Sequence, residues 1–188
     1  MTADLTILTP SLPERHDMLV ECIASVRAQT VQPARHVVSI DYGRRPIHEH
    51  HNALFDGVDT EWVMMLADDD LVDPTYVEVV LAAAEQLGHP AVVWSYCRGG
   101  YEGYNQPFSH ELLERESCVN GSAIFTTELF DRFSYRNRFR DEWGADWRFW
   151  QRLARGSKAT FRSVPEVLMT YRWHGANHSF VPREDTAG

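Results

Sequence analysis

The sequence predicts an α/β fold, a mixed and mostly parallel sheet flanked by helices, on three observations. Short β-branched apolar runs alternate with helical segments through the first half, several of those runs end on polar residues, and turn and cap signals separate them. Leu5 to Leu8 is an apolar run ended by Thr9-Pro10, as a buried strand stopping at a loop would be. Leu19, Cys22, Ile23 and Val26 recur at helical spacing between Asp17 and Gln29, which leaves Glu21, Arg27 and Gln29 for solvent. His36 to Ile40 is a second β-branched run closing at Asp41-Tyr42-Gly43, and a strand, helix, strand unit of this kind implies parallel pairing.

Pro46 to Phe55 fits a short helix, and Trp62 to Ala67 a third strand running straight into Asp68-Asp69-Asp70. The helix expected from Tyr76 to Leu87 has Asp73 to cap it, Pro74 at its first position and Gly88 after its last turn. Ala91 to Tyr96 is a fourth strand, and the Gly- and Tyr-rich stretch from Gly99 to Phe108 is expected to be a mobile loop. Ser122 to Thr126 and Ala159 to Val164 are expected strands around an aromatic-rich helix at Asp146 to Ala154, with Val167 to Arg172 a further extended run. A regular first half and a less regular second half suit a nucleotide-binding half followed by an acceptor-side half.

The 188 residues suffice for one domain, expected over residues 1–180, with 181–188 as a flexible tail. A net charge of -9 argues against a nucleic-acid partner, which would need clustered Lys and Arg. A phosphate-bearing ligand would instead call for a divalent cation held by carboxylates. Cys22, Cys97 and Cys118 lack close spacing and are expected to be reduced, buried thiols. Met1 to Leu5 shows no basic-then-apolar leader and no apolar run approaches the ~18 residues of a membrane span, so a soluble, cytoplasmic protein is expected.

Ligands of open parallel sheets bind beyond the carboxyl ends of the strands, which singles out Thr9-Pro10-Ser11, Asp41-Tyr42 and Asp68-Asp69-Asp70. Three adjacent carboxylates at a strand end raise one another's pKa unless a cation compensates, and oxygen ligands of this kind point to Mg2+ or Mn2+. The alternative is an acidic loop. Asp69, Asp70 and Asp73 also match the aspartate-rich pattern of prenyl-diphosphate enzymes, but that pattern must lie along a helix, and here a strand precedes Asp70 while Pro74 marks a helix start. His48, His50 and His51 have only Glu49 beside them as a further zinc ligand and fit a solvated helix face better. Trp143, Trp147, Trp150 and Trp173 are expected mainly in the core, and Arg44 and Arg45 in solvent, near where a donor phosphate could pass.

Taken in order, Ile7-Leu8-Thr9-Pro10, the segment Ile23 to Thr30, Ser39-Ile40-Asp41, Leu66-Ala67-Asp68-Asp69-Asp70, the segment Gly144 to Trp150 and the segment Tyr171 to Ser179 resemble family 2 glycosyltransferases. The resemblance runs from about Thr6 to Ser179. It implies a GT-A-like (Rossmann-like) fold, a nucleotide diphosphate sugar donor, Mn2+ or Mg2+, and inverting transfer to an acceptor hydroxyl or amine. Carried over residue by residue, it implies that Thr9, Pro10, Asp41, Asn52, Asp68 and Asp69 meet the donor, with Asp41 on the base and His51-Asn52 near the diphosphate. It further implies that Asp69, Asp70 and His174 serve the metal and that Asp146 is the general base. On residues alone, Asp146 could equally cap its helix. Ala67 and Ala145 depart from the family, each standing where an acidic residue is common, and a donor-binding domain without turnover is the rival they raise. A sugar nucleotidyltransferase would need a Gly-rich basic loop after the first strand, and Thr9 to Glu14 offers none.

Overall fold

The computed structural model describes residues 2–134, 144–175 and 177, so that Trp143 and the expected tail at 181–188 lie outside the described residues. In chain order the elements are β1 (Thr2–Ser11), α1 (His16–Arg27), β2 (Gln32–Ile40), α2 (Ile47–Leu54), β3 (Trp62–Met65), β4 (Leu71–Val72), α3 (Tyr76–Glu85), β5 (Ala91–Arg98), α4 (His110–Arg115), β6 (Ile124–Thr126), α5 (Glu128–Phe133), α6 (Ala145–Gly156) and β7 (Thr160–Thr170).

One seven-stranded mixed sheet runs in the order β2-β1-β3-β6-β5-β7-β4. Parallel pairing joins β1 to β2, β1 to β3 and β5 to β7, and the long registers belong to these pairs, whereas the antiparallel contacts of β6 and β4 span only two or three residues. Because β6 is antiparallel to both β3 and β5, those two strands point the same way. The carboxyl ends of β1, β2, β3, β5 and β7 therefore share one edge of the sheet, and the residues leading into β6 arrive at that same edge.

Side-chain alternation divides the core into two layers. Leu5, Ile7, Trp62, Met64, Val93 and Ile124 face α1 and α3, where they pack with Cys22, Val26, Tyr76, Val77 and Val80. Leu8, Val63, Met65, Val92, Trp94 and Phe125 face the other side and meet Leu54, Leu113, Leu129, Phe149, Trp150 and Leu153 from α2, α4, α5 and α6. Cys22, Cys97 and Cys118 are free and buried, and burial pushes the Cys22 thiol up to about 12. Among the described residues no helix is long and apolar enough to cross a membrane.

Several local expectations are corrected by packing. Gln29 is buried, not solvated: its side chain accepts from the Val77 N–H at 2.9 Å and donates to the Asp73 carbonyl at 2.8 Å, so a residue just past the end of α1 satisfies the start of α3. Asp73 does not cap that helix. Its carboxylate takes a two-pronged bond from Arg98 at 3.0 and 2.7 Å, and the residue flanking α3 is Thr75. The two extended runs expected at 159–164 and 167–172 are one strand, whose register slips between Val164 and Val167, and Pro165, having no N–H to give, sits in that slip. The Gly99 to Phe108 stretch is held in place: Asn105 accepts from the Cys97 N–H at 2.7 Å and donates to the Cys97 carbonyl at 3.0 Å, and Tyr104 is buried.

Candidate active site

At the shared strand edge lies a cavity of about 370 Å³, lined among others by Pro10 and Ser11 at the end of β1, Asp41 after β2, Asp68 to Asp70 after β3, Met169 and Tyr171 around the end of β7, and Ala145 and Asp146 at the start of α6. The three groups of polar residues singled out by strand position and the late aspartate thus face one volume.

Asp41 is buried and its carboxylate is used by its own turn. It accepts from the Gly43 N–H at 3.1 Å, the Arg45 N–H at 2.6 Å and the Arg45 guanidinium at 3.3 Å. Burial works to raise its pKa, but these donors outweigh it and hold the carboxyl below the usual range. The triplet that follows β3 is tied differently at each residue. Ser11 donates to Asp68 Oδ2 at 2.6 Å, while one Arg15 nitrogen donates to Asp68 Oδ1 and to Asp69 Oδ2, both at 2.9 Å. His174 Nε2 lies 2.9 Å from that same Asp69 oxygen. Asp70 is buried and receives the Arg172 N–H at 3.4 Å; burial first, and the neighbouring Asp69 second, push its pKa well above the usual carboxylate value.

Arg172 fixes the backbone of this loop from outside. Its guanidinium donates to the carbonyls of Asp69, Asp68 (3.2 Å) and Met18 (2.9 Å) and pairs with Glu21, which ties the end of β7 to α1 and the triplet at once. Asn177 closes the turn by donating to the Arg172 carbonyl at 2.7 Å and accepting from the His174 N–H at 2.9 Å.

Across the cavity, Gly144 precedes α6 at φ 70°, a left-handed turn that suits glycine and delivers Asp146 into the first helical turn. Asp146 is half-buried, and burial raises its pKa against the pull of the N–H groups of Trp147 and of Asp146 itself. A carboxyl held in this way is a stronger proton acceptor than an exposed one once it is ionised.

Two expected contacts fall elsewhere. The Thr9 hydroxyl bonds His36 Nε2 at 2.9 Å and does not line the cavity, whereas Pro10 and Ser11, nearer the end of the strand, do. Asn52 is on α2 but is not among the lining residues, and the same helix presents Ile47, His50 and His51 instead. His50 is buried with Nε2 at 3.0 Å from the Ser39 hydroxyl, which corrects the solvated-face expectation. Arg44 and Arg45, although largely exposed, line the cavity too.

Sequence reading passed over Arg15, Tyr104 and the run Asn120-Gly121-Ser122, all of which line the cavity. Asn120 and Ser122 are buried, and Asn120 Oδ1 and Ser122 Oγ have no hydrogen-bond partner among the described residues. A Cβ on Gly121 would lie 3.8 Å from Asp146 Oδ2, so this run and the aspartate are neighbours. The available signal was topological: an antiparallel strand inserted among parallel ones begins where they end.

Among the described residues, no set of three or more His, Cys, Asp and Glu side chains is arranged to hold a metal by itself. The pair Asp69 and His174 nevertheless suits a hard divalent ion, since their 2.9 Å separation is about that of adjacent ligands on an octahedral ion with bonds of ~2.1 Å.

No protein-family model matches this chain, and no curated protein matches it by sequence. Solved structures do. S. aureus TarS superposes with a TM-score of 0.72 over 90% of this chain and 36% of that chain, at 10% sequence identity. The 1-349 form of S. aureus TarS in complex with UDP gives a TM-score of 0.70 at 11% identity, covering 88% of this chain and 59% of that one. The same form in complex with UDP-GlcNAc gives 0.70 at 10% identity, covering 94% and 61%. This chain spans about a third to three fifths of the length of those chains. At such low identity the likeness lies in three-dimensional arrangement alone, and what it establishes is the α/β fold that this chain shares with those TarS chains.

Proposed function

We propose that this chain is a glycosyltransferase that takes a sugar from a nucleoside diphosphate donor and passes it, with inversion, to an acceptor hydroxyl or amine. The observation that carries this reading is the convergence of Asp41, Asp68 to Asp70 and Asp146 on one cavity at the carboxyl edge of the sheet. Fold neighbours in complex with UDP and UDP-GlcNAc support it.

In this reading Asp41, held ionised by its turn, faces the nucleobase, and Asp68 faces the ribose. Asp69, Asp70 and His174 would hold Mn2+ or Mg2+, which when bound stabilises charge on the leaving diphosphate. Pro10 and Ser11 wall the donor site from β1, and Arg44 and Arg45 lie at its margin. Asp146 accepts the acceptor's proton as the new bond forms, and its raised pKa keeps it basic enough to do so. The sugar lies between the two sides, next to Asn120, Gly121 and Ser122.

Isothermal titration with UDP, GDP, ADP and CMP, with and without Mn2+, tests the donor reading. Metal-dependent binding of at least one is expected, and no binding by any of the four under either condition would overturn it. A donor-binding domain without turnover is favoured by one observation, that Ala67 and Ala145 both face the cavity where acidic groups would add catalytic contacts. It predicts nucleotide binding with no donor hydrolysis at any pH.

A further inference from the structure

Arg15 closes the turn Pro13–Arg15 between β1 and α1 and lines the cavity, with its side chain only 18% exposed. One of its nitrogens spans Asp68 Oδ1 and Asp69 Oδ2 at 2.9 Å each, which is where a cation shared by the two carboxylates would sit. The same Asp69 oxygen also meets His174 Nε2, so the oxygen best placed for a metal already has two partners. The loop does not depend on Arg15 for its shape, because Arg172 binds its backbone carbonyls separately.

We propose that Arg15 is a built-in counter-cation: with no diphosphate bound it occupies the Asp68/Asp69 pair and keeps divalent metal affinity low, and a diphosphate draws the guanidinium off and opens the pair to metal. This rests on the donor reading given above. A divalent ion placed at Asp69 beside an undisplaced guanidinium meets like charge at short range and competes for an oxygen already hydrogen bonded. A diphosphate offers the planar guanidinium a multiply charged alternative, with pairs of oxygens spaced for two parallel hydrogen bonds, within the same cavity. Metal and nucleotide then bind with positive coupling, each raising the other's affinity by the same factor. The device keeps an acidic site from filling with metal that no donor accompanies.

Mn2+ titration of the full chain, read by the electron paramagnetic resonance signal of the free ion, tests the proposal. In Arg15→Gln without nucleotide, Mn2+ should bind about tenfold or more tightly than in the wild type, the loss of one charge-assisted contact being the scale of the change. In the wild type, UDP should tighten Mn2+ by a similar factor, and Arg15→Gln should lose most of that coupling. Arg15→Lys, which keeps the charge, should stay near the wild type with Mn2+ alone. Equal or weaker Mn2+ binding in Arg15→Gln overturns the proposal. Should Arg15→Gln fail to fold, the wild type decides: UDP that binds without changing Mn2+ affinity overturns it equally. If UDP binds neither with nor without Mn2+, the donor reading suffers, while the comparison of Mn2+ alone between wild type and Arg15→Gln still settles the placement of Arg15.

Discussion

The two sides of the cavity are built by opposite means. Toward β1, β2 and β3 the acidic groups are already engaged: Asp41 by three donors of its own turn, Asp68 by Ser11 and Arg15, Asp69 by Arg15 and His174. Toward β6 and α6 the polar atoms are left over, with Asn120 Oδ1 and Ser122 Oγ buried and without partners among the described residues, and Asp146 met by the N–H groups at the start of its helix. Buried polar atoms are nearly always satisfied, so a preformed side next to an unsatisfied one implies that the first holds a fixed part of the ligand and the second is completed by the part that reacts.

The sharpest test of that division is Asp146→Asn. If Asp146 is the base, transfer should fall by about 10²–10⁴-fold while nucleotide affinity, measured by titration calorimetry, stays the same. A matching loss of nucleotide binding would mean the two sides are one structural unit. The pH behaviour adds a second handle. Catalysis needs the ionised form, so kcat should rise with pH through the raised pKa, placing the acid limb above the ordinary aspartate value of about 3.9. Stability runs the other way: the folded state keeps this proton to higher pH than the unfolded chain, so Asp146 costs stability as pH climbs from the ordinary carboxylate range through the raised value. Asp146→Asn should therefore melt no lower than the wild type at neutral pH.

The preformed side was also the legible one. Asp41 and Asp68 to Asp70 each follow directly on a short run rich in apolar residues, so a one-dimensional pattern places them at one edge. Asn120 to Ser122 carry no such mark, since β6 is three residues long and its place between β3 and β5 is a matter of sheet order. The helices α4 and α5, at six residues each, are too short to show a period, and β4 at two residues shorter still. Gln29 looked solvent-facing by its place in the helical pattern of residues 17–29 because the start of α3, which it satisfies, lies some fifty residues on and meets it only in the fold. Arg15 escaped for a related reason: a lone arginine in a turn gains meaning only from two carboxylates brought to it from β3.

Arg172 couples the loop of the preformed side to the rest, and Arg172→Met should be the most destabilising of the remaining changes. It strips the donor from the carbonyls of Met18, Asp68 and Asp69 and leaves Glu21 without its pair, a loss of about 2–4 kcal/mol expected in urea denaturation. Metal-dependent nucleotide binding should weaken with it, because the triplet would lose its frame. Gly99→Ala strains the other side: φ is 69° there, and a Cβ would come within 2.6 Å of the Tyr171 carbonyl, which cannot yield without moving the Tyr171 and Trp173 strand end. A cost of about 1–3 kcal/mol is expected by thermal melting, with nucleotide affinity nearly untouched.

The smallest effect on stability carries the most information about the unsatisfied side. Ser122 Oγ has no partner among the described residues, so Ser122→Ala removes a buried hydroxyl that already bears its desolvation penalty, and stability should hold or rise within about 1 kcal/mol. If that hydroxyl exists to meet the transferred sugar, the same substitution should lower kcat/KM by about five- to tenfold, the worth of one hydrogen bond, and leave binding of the nucleotide without its sugar unchanged. A variant that is less stable and fully active would show instead that a solvent molecule inside the fold satisfies Ser122, and the contrast between the two sides of the cavity would shrink to Asp146 alone.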